Sequence, residues 1–471
     1  MKVCFIQKEA FPYFGIMSLV GYLKKEGIES EVLIASLEDD LNKALSEIKP
    51  DLIGFSVLTT EHGWLAQTSR QIRNTFKDIP IVVGGVHAIL YPESVLRIPD
   101  IDYVCTGEGE KTLVEFCGFV ENGGEISSIR GIGYRNGEAP IINEGMSLLE
   151  NLSEHFEDRE VYYRRYAVLK NDELKQFIAS RGCPYKCAFC FNEQLMDVYK
   201  SKGKYVRMKE PEHFVEEIRR VKESLSAKSI FFADDLFTMN KSWLKRFLPL
   251  YKEKINVPYM CTTRANLMSE EVAIMLKESG CHTVSFGIET GNERIRKEIL
   301  QKNVTDEDII KCGSILKKNG IRIQTSNMFC LPGETLDDAF STVKLNIKIK
   351  TDFAFSTLFM PFPETKLARY CIDNGHLGKE FTFEDLPKSF LTHSILTLKD
   401  KGKIENVQRS SYFLITHPFL LSHIEKLIRN FKLDRLFYLL LFVSTFFRYK
   451  EERQISTFNA MKFLWRFRKS F

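Results

Sequence analysis

Three cysteines, Cys183, Cys187 and Cys190, stand close together in the stretch "SRGCPYKCAFCFNE". Thiolates at such spacing bind soft metals, so zinc and an iron–sulfur cluster are the two chemistries to weigh. A structural zinc site closes with four ligands in a paired arrangement. Here the next cysteine is Cys261, and no CxxC or HxxxH partner accompanies the three. A four-iron cluster on three thiolates leaves one iron open to a substrate or cofactor, which a pure electron carrier does not need. A buried cysteine can also be a mere small hydrophobe. Three of them bracketed by Gly182, Pro184 and Lys186 favour the cluster with an open iron.

Such a loop needs a scaffold, and the rest of the chain supplies one. The chain has 471 residues, 44% hydrophobic and 27% charged, which is enough for two or three globular domains. A net charge of +4 gives no electrostatic case for nucleic-acid binding. Eleven cysteines behind an N-terminus, "MKVCFIQKEA", without the pattern of a signal peptide point to reduced thiols and a cytoplasmic protein. Residues 1–125 alternate strand-like runs ("KVCFIQ", "SEVLI", "DLIGFSV", "IPIVVGG", "IDYVCTG") with helical patterns, which predicts a doubly wound parallel sheet. Ligands of such sheets lie beyond the carboxyl ends of the strands. Ser56 and Leu58 follow the third strand and Gly84-Gly85 the fourth, either as a ligand approach or as tight turns.

Residues 126–172 read as a linker containing a hairpin that turns at Asn136-Gly137. Residues 173–370 hold six further strand-like runs separated by helical segments, the pattern of a partial (β/α)6 barrel of TIM type. Residues 371–471 read as a helical extension. Its apolar run Leu436 to Phe447 is too short to span a bilayer. The basic, aromatic tail with Phe463, Trp465 and Phe467 suits either a helical cap or a peripheral contact at the inner face of a membrane.

The Cys-x-x-x-Cys-x-x-Cys spacing, with Phe189 before the last cysteine, resembles the signature loop of the radical S-adenosylmethionine enzymes. The resemblance extends over residues 173–370. It includes Asp234 and Asp235 after the second strand, Arg264 after the third, Glu289 and Gly291 after the fourth, and Pro332, Gly333 and Glu334 after the fifth. It implies a [4Fe-4S] cluster on the three cysteines, with S-adenosylmethionine on the open iron and cleaved there to a 5′-deoxyadenosyl radical. Arg264 would then pair with the cofactor carboxylate as a planar fork. Glu289 would accept hydrogen bonds from its ribose or ammonium group, Phe189 would face the adenine, and Asp234 and Gly333 would complete the binding surface.

The N-terminal sheet, with Ser56-x-Leu58, Gly84-Gly85 and the run "GGVHAILYPESVLRIPDIDYVCTGEGEKTL", resembles the cobalamin-binding domain of one branch of these enzymes. The Asp-x-His-x-x-Gly motif of other cobalamin domains is missing, since the segment after the first strand is "QKEAFPYFG". His62 and His87 are expected to be partly exposed polar residues rather than cobalt ligands. Both resemblances imply C-methylation of an unactivated carbon through the deoxyadenosyl radical and methylcobalamin. A radical cyclase or oxidative, rearranging enzyme with the same cofactors is the alternative. A noncatalytic iron–sulfur protein is a third reading, against which Arg264 and Glu289 argue. Methylthiolation is the less favoured chemistry, since it requires a second cluster on N-terminal cysteines, and Cys4, Cys105 and Cys117 are too few at unsuitable spacing. The implied partners are a small-molecule or lipid substrate, a polyprenoid or a tetrapyrrole among them, and an external electron donor such as flavodoxin or ferredoxin.

Overall fold

A computed structural model describes residues 1–225, 227–387 and 389–453. The expectation for the tail beyond residue 453 therefore lies outside the described residues. Strands β1 (Lys2–Gln7), β2 (Glu29–Ile34), β3 (Leu52–Ser56), β4 (Ile81–Gly84) and β5 (Tyr103–Cys105) pair in parallel in the order β2-β1-β3-β4-β5. The direction of winding reverses between β1 and β3, and a crevice opens at such a switch point. Helix Phe14–Lys25 turns Ile16, Met17, Val20 and Leu23 inward at helical spacing. On the sheet, Ile6, Leu33, Ile53, Phe55, Val83 and Val104 join one apolar core.

The hairpin turns where the sequence predicts, with Gly137 at φ +64°. Its strands β6 (Ile132–Asn136) and β7 (Ala139–Ile142) do not lie free as a linker. β6 pairs antiparallel with β5 and so extends the first sheet to seven strands. A three-residue β5 left as an edge would expose unpaired backbone groups, which the hairpin covers.

Strand β8 (Leu174–Phe177) opens the second sheet. A short antiparallel ribbon of β9 (Ser180–Arg181) and β10 (Arg207–Met208) follows. Then come β11 (Ser229–Phe232), β12 (Tyr259–Thr263), β13 (Cys281–Glu289), β14 (Arg322–Phe329) and β15 (Phe353–Leu358). The order β15-β14-β13-β12-β11-β8 runs with the chain, the β9–β10 ribbon standing apart from this sheet, and β11 to β15 pair in parallel. This is a partial TIM-type barrel of six strands. Helices Lys401–Thr416, Leu421–Asn430 and Asp434–Arg453 complete the described chain and contribute Ile404, Val407, Leu414, Ile428 and Phe437 to an apolar cluster with Phe329 and Leu358.

Two compact units result. One holds Met1–Glu173, Phe177–Pro184 and Asn192–Ala227; the other holds Leu174–Gln176, Tyr185–Phe191 and the chain from Lys228 onward. These units do not follow the segment limits read from the sequence, because residues 192–227 go with the N-terminal sheet. Buried charge explains the attachment. Lys209 reaches Glu157 at 2.8 Å and Glu217 at 2.7 Å, and Arg159 pairs with Glu157 at 2.9 Å, all four side chains being buried. Separating any partner would leave an uncompensated charge in the interior.

Candidate cofactor site

The division between the units falls inside the cysteine loop, with Cys183 in the first unit and Cys187 and Cys190 in the second. Within the second unit the loop turns tightly, the Cys190 N–H donating to the Cys187 carbonyl at 3.0 Å. Backbone hydrogen bonds pin it on both sides: Ala188 N–H to the Leu300 carbonyl at 2.9 Å, and Leu367 N–H to the Ala188 carbonyl at 3.1 Å. Phe189 is half-buried and packs against an apolar cluster that includes Ala188, Ile295, Leu300 and Leu331. Among the described residues no three His, Cys, Asp or Glu side chains gather around one point as the ligands of a single ion would.

Arg264 follows β12 and is buried beside this loop. Its Nη1 donates to Cys187 Sγ at 3.6 Å, its Nη2 to the Asn303 carbonyl at 3.2 Å, and its guanidinium lies 4.0 Å over the Tyr185 ring. Its Nε is buried without a hydrogen-bond partner among the described residues. A buried donor left unmade is costly, so a fork already set against a thiol and still holding a free N–H fits an anionic ligand such as the carboxylate of S-adenosylmethionine.

Glu289 ends β13 at a register shift between Gly287 and Glu289, with φ +65°. Bulges of this kind re-aim side chains next to active sites. The carboxylate pairs with Lys302 at 2.7 Å, and the same ammonium donates to the Gly287 carbonyl at 2.7 Å. Gly287 makes room for this pair, since a Cβ there would stand 1.9 Å from Glu289 Oε1 and 2.6 Å from Lys302 Nζ. Removing the ammonium would leave a buried carboxylate unpaired. We expect Lys302→Met to cost about 3–5 kcal/mol of stability, and Glu289→Gln in the same chain to recover part of it. Chemical unfolding of the two variants checks this; equal midpoints for wild type and Lys302→Met would reject it.

One segment thus joins several of the expected residues. Leu300 holds the cysteine loop, Lys302 holds Glu289, and Asn303 holds Arg264. Arg296, wholly buried, ties the preceding turn down through the Ile288, Thr290 and Val304 carbonyls and Asp306. Sequence reasoning missed Lys302, Asn303 and Arg296, because the charged run from Asn292 to Asp308 reads as solvated surface. Tyr185 was within reach as the aromatic inside "CPYKC".

Two further expected positions follow other strands of the same sheet. Asp234 lies beyond β11 and is buried, its carbonyl accepting from Thr262 Oγ1 at 2.5 Å. Gly333 is exposed at φ +74° in the turn after β14. In that turn Leu331 N–H donates to Glu334 Oε2 at 3.1 Å, and the other carboxyl oxygen is buried without a partner among the described residues. Burial pushes the Glu334 carboxyl up to about 8, against the lowering effect of the Leu331 and Cys330 amides. Between the ordinary carboxylate range and that value the folded protein keeps a proton the unfolded chain has lost. Stability therefore falls as pH rises across that interval, by up to about 1.4 kcal/mol per pH unit. Glu334→Gln is expected to raise the urea midpoint at pH about 9 and to leave it nearly unchanged at pH about 5. The same offset at both values would place the ionisation elsewhere.

In the N-terminal unit the chain beyond the carboxyl ends of β3 and β4 is open at some positions and packed at others. Leu58 is exposed after β3. A Cβ at Gly84 would meet nothing closer than the Phe55 carbonyl oxygen at 3.8 Å, and one at Gly15 or Gly63 would meet no described heavy atom within 4 Å. Gly85 serves differently: at φ +92° a Cβ would lie 2.6 Å from Val57 O and 3.3 Å from Ser56 Oγ. Open backbone of this sort fits a large ligand laid against the edge, as cobalamin would be. His87 corrects the expectation of partial exposure. It is fully buried, its Nε2 lies 2.9 Å from His62 Nδ1, and burial with His62 alongside lowers its pKa to about 3, so the ring is neutral. Burial rather than solvent exposure sets its role, because its helix, Val86–Leu90, starts directly under β4.

Comparison with known proteins matches these two regions separately. The model of the Radical SAM superfamily matches residues 177–345, and that of the B12 binding domain matches residues 8–117. An uncharacterised methyltransferase of Pyrococcus horikoshii is 29% identical over 78% of this chain and 80% of its own. An anaerobic magnesium-protoporphyrin IX monomethyl ester cyclase of Rubrivivax gelatinosus is 24% identical over 87% of this chain and 75% of its own. A hopanoid C-3 methylase of Methylococcus capsulatus is 25% identical over 61% of this chain and 56% of its own. The radical S-adenosylmethionine methyltransferase TsrM of Kitasatospora setae, solved with cobalamin and a [4Fe-4S] cluster, shares the fold. Its TM-score is 0.66 at 19% identity, over 79% of this chain and 75% of that one.

Proposed function

We propose that this chain, which belongs to the cobalamin-dependent radical S-adenosylmethionine enzymes, methylates an unactivated carbon of a small lipid-like molecule. The observation that carries the reading is the joint presence of both cofactor domains in one chain that is also similar to methyltransferases along most of its length. Its cofactors are a [4Fe-4S] cluster, S-adenosylmethionine and cobalamin. When bound, the first two supply a radical able to abstract hydrogen from an unactivated carbon, and cobalamin supplies the methyl group.

The chain's own residues take the remaining tasks. Cys183, Cys187 and Cys190 hold the cluster. Arg264, oriented by Tyr185 and the Asn303 carbonyl, grips the carboxylate of S-adenosylmethionine through its free N–H. Glu289, held by Lys302, accepts from the ribose or ammonium group, with Phe189, Asp234 and Gly333 around them. Ser56, Leu58, Gly84 and Gly85 present the edge of the N-terminal sheet to cobalamin. Flavodoxin or ferredoxin supplies the electron. Lipid-like character is supported by the hopanoid methylase relative and by the exposed apolar side chains of the C-terminal helix.

The test is anaerobic reconstitution with iron, sulfide and cobalamin, then incubation with methyl-labelled S-adenosylmethionine, reductant and a panel of isoprenoid lipids and tetrapyrroles. Label in a lipid together with reductant-dependent 5′-deoxyadenosine supports the proposal. Deoxyadenosine with an unlabelled, ring-closed or oxidised product would replace methyl transfer by the cyclase reading. Labelled tetrapyrrole would keep the reaction and reject the lipid.

A further inference from the structure

Glu108 and Glu110, in the run "CTGEGEKTL" that follows β5, carry no task in the sites described above. Glu108 immediately precedes helix Gly109–Asn122, and Glu110 lies in its first turn. Both meet Arg181. One nitrogen of its guanidinium, Nη1, lies 3.2 Å from Glu108 Oε1; the other, Nη2, donates to Glu110 Oε1 and, at 2.8 Å, to Ser18 Oγ. Ser18 stands on helix Phe14–Lys25, which follows β1, and its hydroxyl donates to Glu110 Oε1 at 2.7 Å. Arg207 completes the group, its Nη1 donating to Glu108 Oε2 at 2.9 Å. Ser18, Glu110 and Arg207 are buried, and Glu108 is half-buried. Burial would raise the Glu110 carboxyl, but Arg181 and Ser18 hold it below the ordinary carboxylate range.

Arg181 is the second residue before Cys183, and the backbone between them has little freedom. Ser180 and Arg181 pair with Met208 and Arg207 in the β9–β10 ribbon. Gly182 follows at φ +85°, where a Cβ would lie 2.6 Å from the Tyr205 carbonyl oxygen. Cys187 and Cys190 are held differently, by the turn between them and by the backbone groups of Ala188. Arg181, Cys183 and every partner named for the guanidinium belong to the N-terminal unit. Buried ion pairs add little net stability over apolar packing, so stability alone does not account for four charges at this point. What a forked guanidinium fixed by three partners supplies is direction. Residues that hold a metal ligand in place govern how well the metal is retained.

We propose that Arg181 is a positioning residue for the cluster: held by Ser18, Glu108 and Glu110, it fixes the arm of Cys183 on the helices that follow β1 and β5. Retention of the cluster then depends on side chains of the cobalamin-binding domain. The proposal rests on the reading of the three cysteines as cluster ligands. Arg181→Lys tests it in the full chain, because the ammonium keeps the charge balance but cannot reach both carboxylates and Ser18 as a fork does. Its thermal midpoint is expected to stay close to that of the wild type. In the cluster-free chain the amides of Gly182 and Cys183 are expected to exchange hydrogen at least about tenfold faster. After anaerobic reconstitution, iron loss to a chelator should accelerate at least about tenfold, and the electron paramagnetic resonance g values of the reduced cluster should shift. Arg181→Gln/Glu110→Gln, which removes one charge of each sign, serves as a second variant should the first unfold, with the same result expected. Wild-type exchange and wild-type iron loss in both variants would overturn the proposal, as would iron loss that merely follows a lowered midpoint. A wild-type chain that assembles no cluster rejects the three-cysteine reading itself; a stable wild-type cluster with unaltered variants rejects the role of Arg181 alone.

Discussion

Cys187→Ala is expected to abolish cluster assembly and reduce S-adenosylmethionine cleavage to background. Three thiolates are the least that can hold a cluster while leaving one iron open, so removing one frees a second corner and exposes the cluster to loss. Cys187 also differs from its neighbours in position. It is buried, its carbonyl closes the loop through Cys190, and its Sγ meets Arg264. Substitution therefore also removes one of the contacts that orient the guanidinium. Iron and sulfide content after anaerobic reconstitution, and reductant-dependent 5′-deoxyadenosine, measure the two effects separately. An alanine variant that still cleaves S-adenosylmethionine would reject the three-cysteine assignment. Cys261→Ala serves as the control, since that buried thiol lies on β12 and has no place in the loop.

The second large effect separates two adjacent glycines. Gly84→Ala is expected to lower cobalamin retention at least about tenfold, equivalent to about 1.4 kcal/mol, while leaving the thermal midpoint and the cluster nearly unchanged. The reason is spatial. The protein itself leaves an ordinary van der Waals gap for that Cβ, so any penalty comes from the ligand. Gly85→Ala is expected to cost about 3 kcal/mol or more of stability. Its methyl group would meet the backbone oxygen and nitrogen of Val57 at 2.6 and 2.7 Å in a left-handed conformation. Loss of cobalamin from the Gly85 variant then follows from a displaced β3 end and carries no information about the ligand. Cobalamin retained by Gly84→Ala at the wild-type level would move its site away from the edge of β3 and β4.

Local spacing determined much of this protein. The cysteine loop, the strand-and-helix alternation of both sheets and the order of Asp234, Arg264, Glu289 and Gly333 along successive strand ends depend on residues near one another in the chain. Periodicity and turn chemistry report such features directly. The hairpin at Asn136-Gly137 was legible for the same reason, although its attachment to β5 was not, since pairing with an existing edge is a long-range choice. Leu300, Lys302 and Asn303 became the link between the cysteine loop, Glu289 and Arg264 only when the turn after β13 was folded back. Gly287 reads as an unremarkable strand glycine until the Glu289–Lys302 pair occupies the space its side chain would need. His87 is the polar residue of the otherwise apolar run "VHAIL", and the packing of its helix against β4 buries it. In the run Leu436 to Phe447 every residue but two is apolar, so composition could not say which side faces the core. Packing of Phe437 and Leu440 against the cluster around Val407 settled that, and left Leu436, Leu439 and Val443 facing outward. Contacts close in sequence follow from the residues themselves; contacts distant in sequence depend on which surfaces the folded chain brings together.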